Sequence, residues 1–147
     1  MPHRGPILGV DLGEKRIGLA VSDAAASIAF PAGFMASHGR ARDLVALREV
    51  IEARGIVRIV VGLPIHLNGQ TSPGSVAARS FAEALGEATG LPVDLLDERW
   101  TSRAAERSLS ETKGGRKKRR EVVDSVAATL LLRTYLEHQL ASQAPCE

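Results

Sequence analysis

Three acidic residues, far apart in the chain, are of the types that could act together. Asp11 sits inside an apolar, β-forming run, ILGVDL at 7–12; Glu98 follows shortly after another, VDLL at 93–96; Asp124 lies within VVDSVAATLL at 122–131. Aspartate is a poor strand residue and costly to bury without a partner, so Asp11 in such a run needs a cause. Converging carboxylates repel one another and resist ionisation unless a cation holds them together. Oxygen-only ligands favour a hard ion, Mg²⁺ or Mn²⁺. Such ions activate water and clamp the attacking and leaving oxygens of a phosphodiester, so the chemistry expected of the trio is in-line phosphodiester hydrolysis. Each acid also has a plain alternative. Asp11 could bond to strand-end amides, Glu98 could pair with Arg99 on the surface, and Asp124 could simply favour a helix N-terminus. Asp97 replaces Glu98 if the strand end is shifted by one residue.

The trio makes a site only if the fold collects it. Period-two alternation puts Ile7, Gly9 and Asp11 on one strand face and Leu8, Val10 and Leu12 on the other. The turn at 13–15 and the apolar run at 16–22 make the opening an antiparallel hairpin. Gly9 and Gly18 strip side chains from around Asp11, either to leave room for a ligand or to allow a bulge or a close helix crossing. Residues 27–36 read as a third strand, and Pro31 and Gly33 assign it to a sheet edge. Leu44, Leu47, Val50 and Ile51 recur at helical spacing over 40–53, with Gly55 as the C-terminal cap. VRIVV at 57–61 is a buried strand, 65–72 a polar loop, and a helix starts at Pro73 or Ser75 and runs to about 88. A fifth strand covers 93–96, a short helix 103–109, a mobile loop 111–118, and a last helix about 119–140.

The order is therefore β-β-β-α-β-α-β-α-α. Crossovers after the third strand make the first, fourth and fifth strands parallel, with helices on both sheet faces and the carboxyl ends of these strands along one edge. That edge is where open α/β sheets bind ligands. Asp11 and Glu98 both reach it, and Asp124 shares a helical stripe with Ala128, Leu131 and Tyr135 that can bring it there too.

Composition narrows the classes. At 147 residues the chain fits one domain, with flexible tails expected at 1–6 and 141–147. Aromatic residues make up 3%, too few for a recognition surface of many stacked rings. Net charge is only +2, yet six of the 19 basic residues fall within 113–120, as a phosphate-binding cluster or a solvated loop. Lys15, Arg16 and Arg99, near the acids, and Lys117, Lys118, Arg119 and Arg120 are the candidate nucleic-acid contacts. The single cysteine, Cys146, and the scattered His3, His38, His66 and His138 offer no zinc site. No run spans a bilayer and no signal-peptide pattern is present, so the expected compartment is the cytoplasm, without a membrane partner.

The segments GVDLGEKRIGLAVSD around Asp11, GLP at 62–64, DERWTS at 97–102 and VDSVAA at 123–128 together resemble, in order, the YqgF (RuvX-like) family of the ribonuclease H-like superfamily. The resemblance covers about residues 7–136. It implies a five-stranded mixed sheet in the order 3-2-1-4-5 and a divalent-metal nuclease with its acidic triad at Asp11, Glu98 and Asp124. It also implies a role in processing the 5′ end of pre-16S rRNA; an older label for the family is Holliday junction resolvase. Composition and spacing do not separate RNA from branched DNA, so pre-rRNA is the expected substrate with a branched-DNA resolvase as the alternative, and a monomer and a weak homodimer both stay open. One rival uses the same opening hairpin, which is similar to the phosphate-binding hairpin of actin-like and sugar-kinase ATPases. Those enclose nucleotide between two such domains, and a second acidic hairpin is missing here. The other rival is a domain that binds nucleic acid without cutting it.

Overall fold

In a computed structural model describing residues 5–13, 15–63, 73–97 and 116–143, the first apolar run forms β1 (Ile7–Leu12) and returns as β2 (Arg16–Ser22). The turn is tight. Gly13 N–H donates to the Arg16 carbonyl at 2.8 Å, and a Cβ on Gly13 would stand 2.6 Å from that oxygen, so only glycine fits without moving the chain. β3 (Ala29–Ala36) pairs antiparallel with β2 at one edge of the sheet. It starts two residues later than the pattern predicts because Asp23 engages what precedes it. The Asp23 carboxylate accepts from the N–H groups of Ile28 and Ser27 and from the Ser27 hydroxyl. These bonds, the one from Ile28 foremost, hold it below the usual carboxylate range.

The chain continues through α1 (Arg40–Arg54), β4 (Arg58–Leu63), α2 (Pro73–Thr89), β5 (Val93–Asp97) and α3 (Arg116–Gln143). Gly55 caps α1 in the left-handed region, at φ 65°. At the other end of α1 the buried Asp43 reaches back, accepting from the Ser37 hydroxyl at 2.6 Å and the His38 N–H at 2.8 Å. The sheet order is β3-β2-β1-β4-β5, with β1 parallel to β4 and β4 parallel to β5, as expected.

The two faces bury different layers. Leu8, Val10, Ile17, Ile59 and Val61 pack with Leu47 and Ile51 of α1 and with Phe81 and Leu85 of α2. On the opposite face Ile7, Ala20 and Val60 pack with Ala128, Leu132, Tyr135 and Leu136 of α3. Alternation in β1 produces this division, since successive residues feed opposite layers.

Three expectations need correction. Residues 116–118 are the first turn of α3 rather than part of a loop; arginine and lysine are good helix formers, but a turn without apolar residues carries no periodic signal. The leader is anchored by residue 6, whose carbonyl accepts from Val57 N–H at 3.0 Å, while Gly5 is buried. At the other end α3 runs to Gln143, into the stretch expected to be a tail. The helix expected at 103–109 and the rest of the loop at 111–115 lie outside the described residues.

A polar clamp fixes α3 against the start of β4. Arg58 donates to Asp94 Oδ2 at 2.6 Å, and the Tyr135 hydroxyl donates to the same oxygen. Burial, then the bond to Asp94, pushes the Tyr135 hydroxyl up to about 12 from 10.0. Because the folded state holds this proton more tightly, the associated stabilisation is present below pH 10.0 and is lost as pH rises through about 12. Tyr135→Phe should therefore cost about 1 kcal/mol at neutral pH, and its deficit should shrink across that window. Urea midpoints of both proteins along a pH series provide the check; parallel curves would refute the clamp.

Candidate active site

The carboxyl ends of β1, β4 and β5 share one sheet edge, because these three strands run parallel. Asp11 is half-buried near the end of β1. Its neighbour across the ladder in β2 is Gly18, and continuing the β1–β4 register one step beyond Val10 and Val61 sets it level with Gly62. The same row runs on to Phe34 in β3 and Leu96 in β5. Leu96 packs with the α3 layer, so this row, Asp11 included, faces α3. The carboxylate thus has bare backbone on either side, in a sheet whose other faces are filled with side chains. Asp11 presents an oxygen of the kind a hard cation takes, with no side chain from the neighbouring strands beside it in its row.

Gly9, two residues earlier on the same face, answers to a close helix crossing instead. A Cβ there would stand 3.0 Å from Leu132 Cβ and 3.3 Å from the Ala128 carbonyl oxygen. These contacts also orient α3. Tyr135 meets Arg58, the partner of Ile7 at the start of β1, whereas Ala128 meets Gly9, so α3 runs antiparallel to β1. Helix position 124 is one turn before Ala128, about 6 Å along the axis. Asp11 lies two residues past Gly9, about 6.7 Å in the same direction. Position 124 also falls on the stripe of Ala128, Leu131 and Tyr135, all buried. Positions 117–120 lie a further 6–10 Å or so outward, past the strand ends.

The other candidates divide. Arg16 opens β2 and shares the face of Gly18; its guanidinium lies over the Phe34 ring, 5.0 Å from the centroid. Lys15 is exposed, and its carbonyl accepts from Ser37 N–H at 2.9 Å, tying the hairpin turn to the end of β3. Glu98 and Arg99 lie outside the described residues. Asp97, the alternative to Glu98, is level with Leu63 and belongs to the α1–α2 face, opposite Asp11. Among the described residues, no three His, Cys, Asp or Glu side chains cluster to hold a metal, and of the expected trio only Asp11 has a described side chain. Among them, too, no helix is long and apolar enough to cross a membrane.

Sequence reading missed Gly62 as a neighbour of Asp11. The glycine is plain in GLP, but its meaning depends on the β1–β4 register, which no local pattern encodes. Phe34 was missed as well, because the face it occupies is set by an irregular pairing.

A mixed sheet ordered 3-2-1-4-5 and covered by helices on both faces is the ribonuclease H-like fold. Thermus thermophilus RuvC, solved in complex with Holliday junction substrate, superposes with a TM-score of 0.61 at 14% identity, covering 94% of this chain and 97% of that one. The fowlpox virus Holliday junction resolvase gives 0.56 at 13%, over 91% and 99%. The RuvX family, described as Holliday junction resolvase, matches residues 5–138, and the chain belongs to it. A relative from Syntrophomonas wolfei is 42% identical over 131 residues, 89% of this chain and 93% of its own length. One from Koribacter versatilis is 44% identical over 135 residues, 92% and 88%. Both carry the name "Putative pre-16S rRNA nuclease".

Proposed function

We propose that this chain is a divalent-metal-dependent endonuclease that processes the 5′ end of pre-16S rRNA in the cytoplasm, as a monomer or weak homodimer. The observation that carries the reading is Asp11, a half-buried carboxylate at the carboxyl edge of a ribonuclease H-like sheet, with Gly18 and Gly62 on either side. The relatives' name supplies the substrate.

Asp11, Glu98 and Asp124 would hold Mg²⁺ or Mn²⁺. When bound, such an ion supplies charge neutralisation at the phosphate and a water of lowered pKa. The three carboxylates would also give the site a negative charge that selects a cation rather than a phosphate. Arg16, fixed over Phe34 on the Asp11 face, offers a guanidinium for a phosphate oxygen, and Lys15 and Arg99 add charge beside it. Lys117, Lys118, Arg119 and Arg120, on the helix that extends past the strand ends, track the nucleic-acid backbone. Replacing these four by alanine should lower the slope of log Kd against log salt by about 0.7 for each single-strand phosphate that they neutralise. An unchanged slope would exclude them from binding the backbone.

The test of the function is cleavage, by the purified protein with Mg²⁺ or Mn²⁺, of a labelled RNA spanning the 5′ boundary of 16S rRNA. A four-way DNA junction and ATP serve as rival substrates. Metal-dependent cutting of the RNA at that boundary is expected. Resolution of the junction with no RNA cleavage would move the assignment to branched DNA, and ATP hydrolysis alone would reject nuclease action.

A further inference from the structure

β3 contains a two-against-one irregularity. Ala20 of β2 pairs with Pro31 and Gly18 with Phe34, so Leu19 alone faces both Ala32 and Gly33, the latter at φ 82°. The extra residue reverses the alternation of β3. Phe30 pairs with Val21, which packs against the α1–α2 layer, whereas Phe34, four residues on, lies in the row of Gly18 and Asp11. In a regular strand, residues four apart share a face. The bulge therefore turns Phe34 onto the Asp11 face and separates it from Phe30.

What Phe34 does there is not packing alone. Its neighbour Met35 joins the α1–α2 core, yet Phe34 keeps 38% of its surface exposed. Gly18, the residue between Phe34 and Asp11, has no side chain to fill the gap, and two strand spacings of about 4.8 Å set the backbones of the two about 10 Å apart. The Arg16 guanidinium lies over the ring. The half-exposed ring and the guanidinium over it form a cationic, partly open surface two strands from the Asp11 carboxylate.

Resting on the nuclease reading above, we infer that Phe34 and Arg16 form a stacking site for one unpaired base of the nucleotide next to the phosphate at Asp11. Every base has a π face that stacks on an aromatic ring, and a cationic group beside that ring favours it further. Stacking within a duplex covers that face, so the site selects RNA that is single-stranded at the cut. One ring reads one base, in keeping with a chain poor in aromatic residues.

Fluorescence anisotropy with EDTA present, so that no cleavage intervenes, tests this with two labelled probes: a short single-stranded RNA containing 2-aminopurine, and the same RNA as a perfect duplex. Phe34→Ala should weaken binding of the single strand by about tenfold, leave duplex binding within about twofold, and abolish 2-aminopurine quenching. Phe34→Tyr should restore both affinity and quenching. Equal effects on both probes, or no effect on the single strand, would overturn the assignment. So would a change in sedimentation on Phe34→Ala without loss of single-strand affinity, which would make the ring a contact between copies of the chain. Because binding is read without catalysis, a failed platform leaves wild-type cleavage untouched, and failed cleavage leaves the stacking result readable.

Discussion

Asp11→Asn should slow metal-dependent RNA cleavage by on the order of 10³-fold or more while the protein melts within a few degrees of wild type. Asparagine keeps the volume and one oxygen of the aspartate but removes the charge that recruits a divalent ion. The fold should tolerate the change because nothing in the core depends on that charge: the flanking row positions, Gly18 and Gly62, have no side chains that pack on the carboxylate. If the other two acids converge on the same place, neutralising one also relieves repulsion. Cleavage rates on the boundary RNA and a thermal melt on the same preparation decide the matter. Full activity in a well-folded variant would remove Asp11 from the site, and the proposed chemistry with it.

The second large effect concerns the crossing of α3 over β1. Gly9→Val should lower stability by about 2–3 kcal/mol, since a first carbon at this position already stands 3.0 Å from Leu132 Cβ and valine adds two more. Leu132→Ala, at a fully buried position, should cost about 2–5 kcal/mol by leaving a cavity. The valine methyls can take part of the space that Leu132 Cγ and its methyls vacate, while the Cβ and Ala128 carbonyl contacts stay, so the double variant should be more stable than the sum predicts by about 1 kcal/mol. Gly9→Val should also reduce cleavage more than its stability loss explains, because it displaces the helix that carries position 124. Urea unfolding of the four proteins in the cycle gives the coupling energy. Gly9→Val at wild-type stability would show that α3 does not rest on Gly9, and strict additivity would place the strain in the Leu132 Cβ and Ala128 carbonyl contacts alone.

Much of this was legible in the chain itself. Alternation in ILGVDL assigned the two faces of β1, the short turn required the hairpin, and alternating helix and strand after β3 required the parallel set. Asp11 stood out because an acid in an apolar strand is anomalous. What was not legible depends on register. Gly62 becomes a neighbour of Asp11 only through pairing of β1 with β4, and Phe34 reaches the same face only through one extra residue in β3. The Arg58, Asp94 and Tyr135 clamp joins residues 36, 41 and 77 positions apart, beyond any local pattern. No local pattern marks Asp43 for burial; it is buried because it accepts from the Ser37 hydroxyl and His38 N–H just ahead of the helix.

The antiparallel seating of α3 has a consequence for a chain still being made. Among the described residues the α1–α2 face draws on positions up to 97, so that half of the sheet can close early, whereas the Asp11 face waits for the helix at 116–143. A nascent chain emerging from the ribosome carries the first carboxylate long before the helix that completes its surroundings. Synthesis thus orders the two faces in time, and the face that carries Asp11 is the last to be covered.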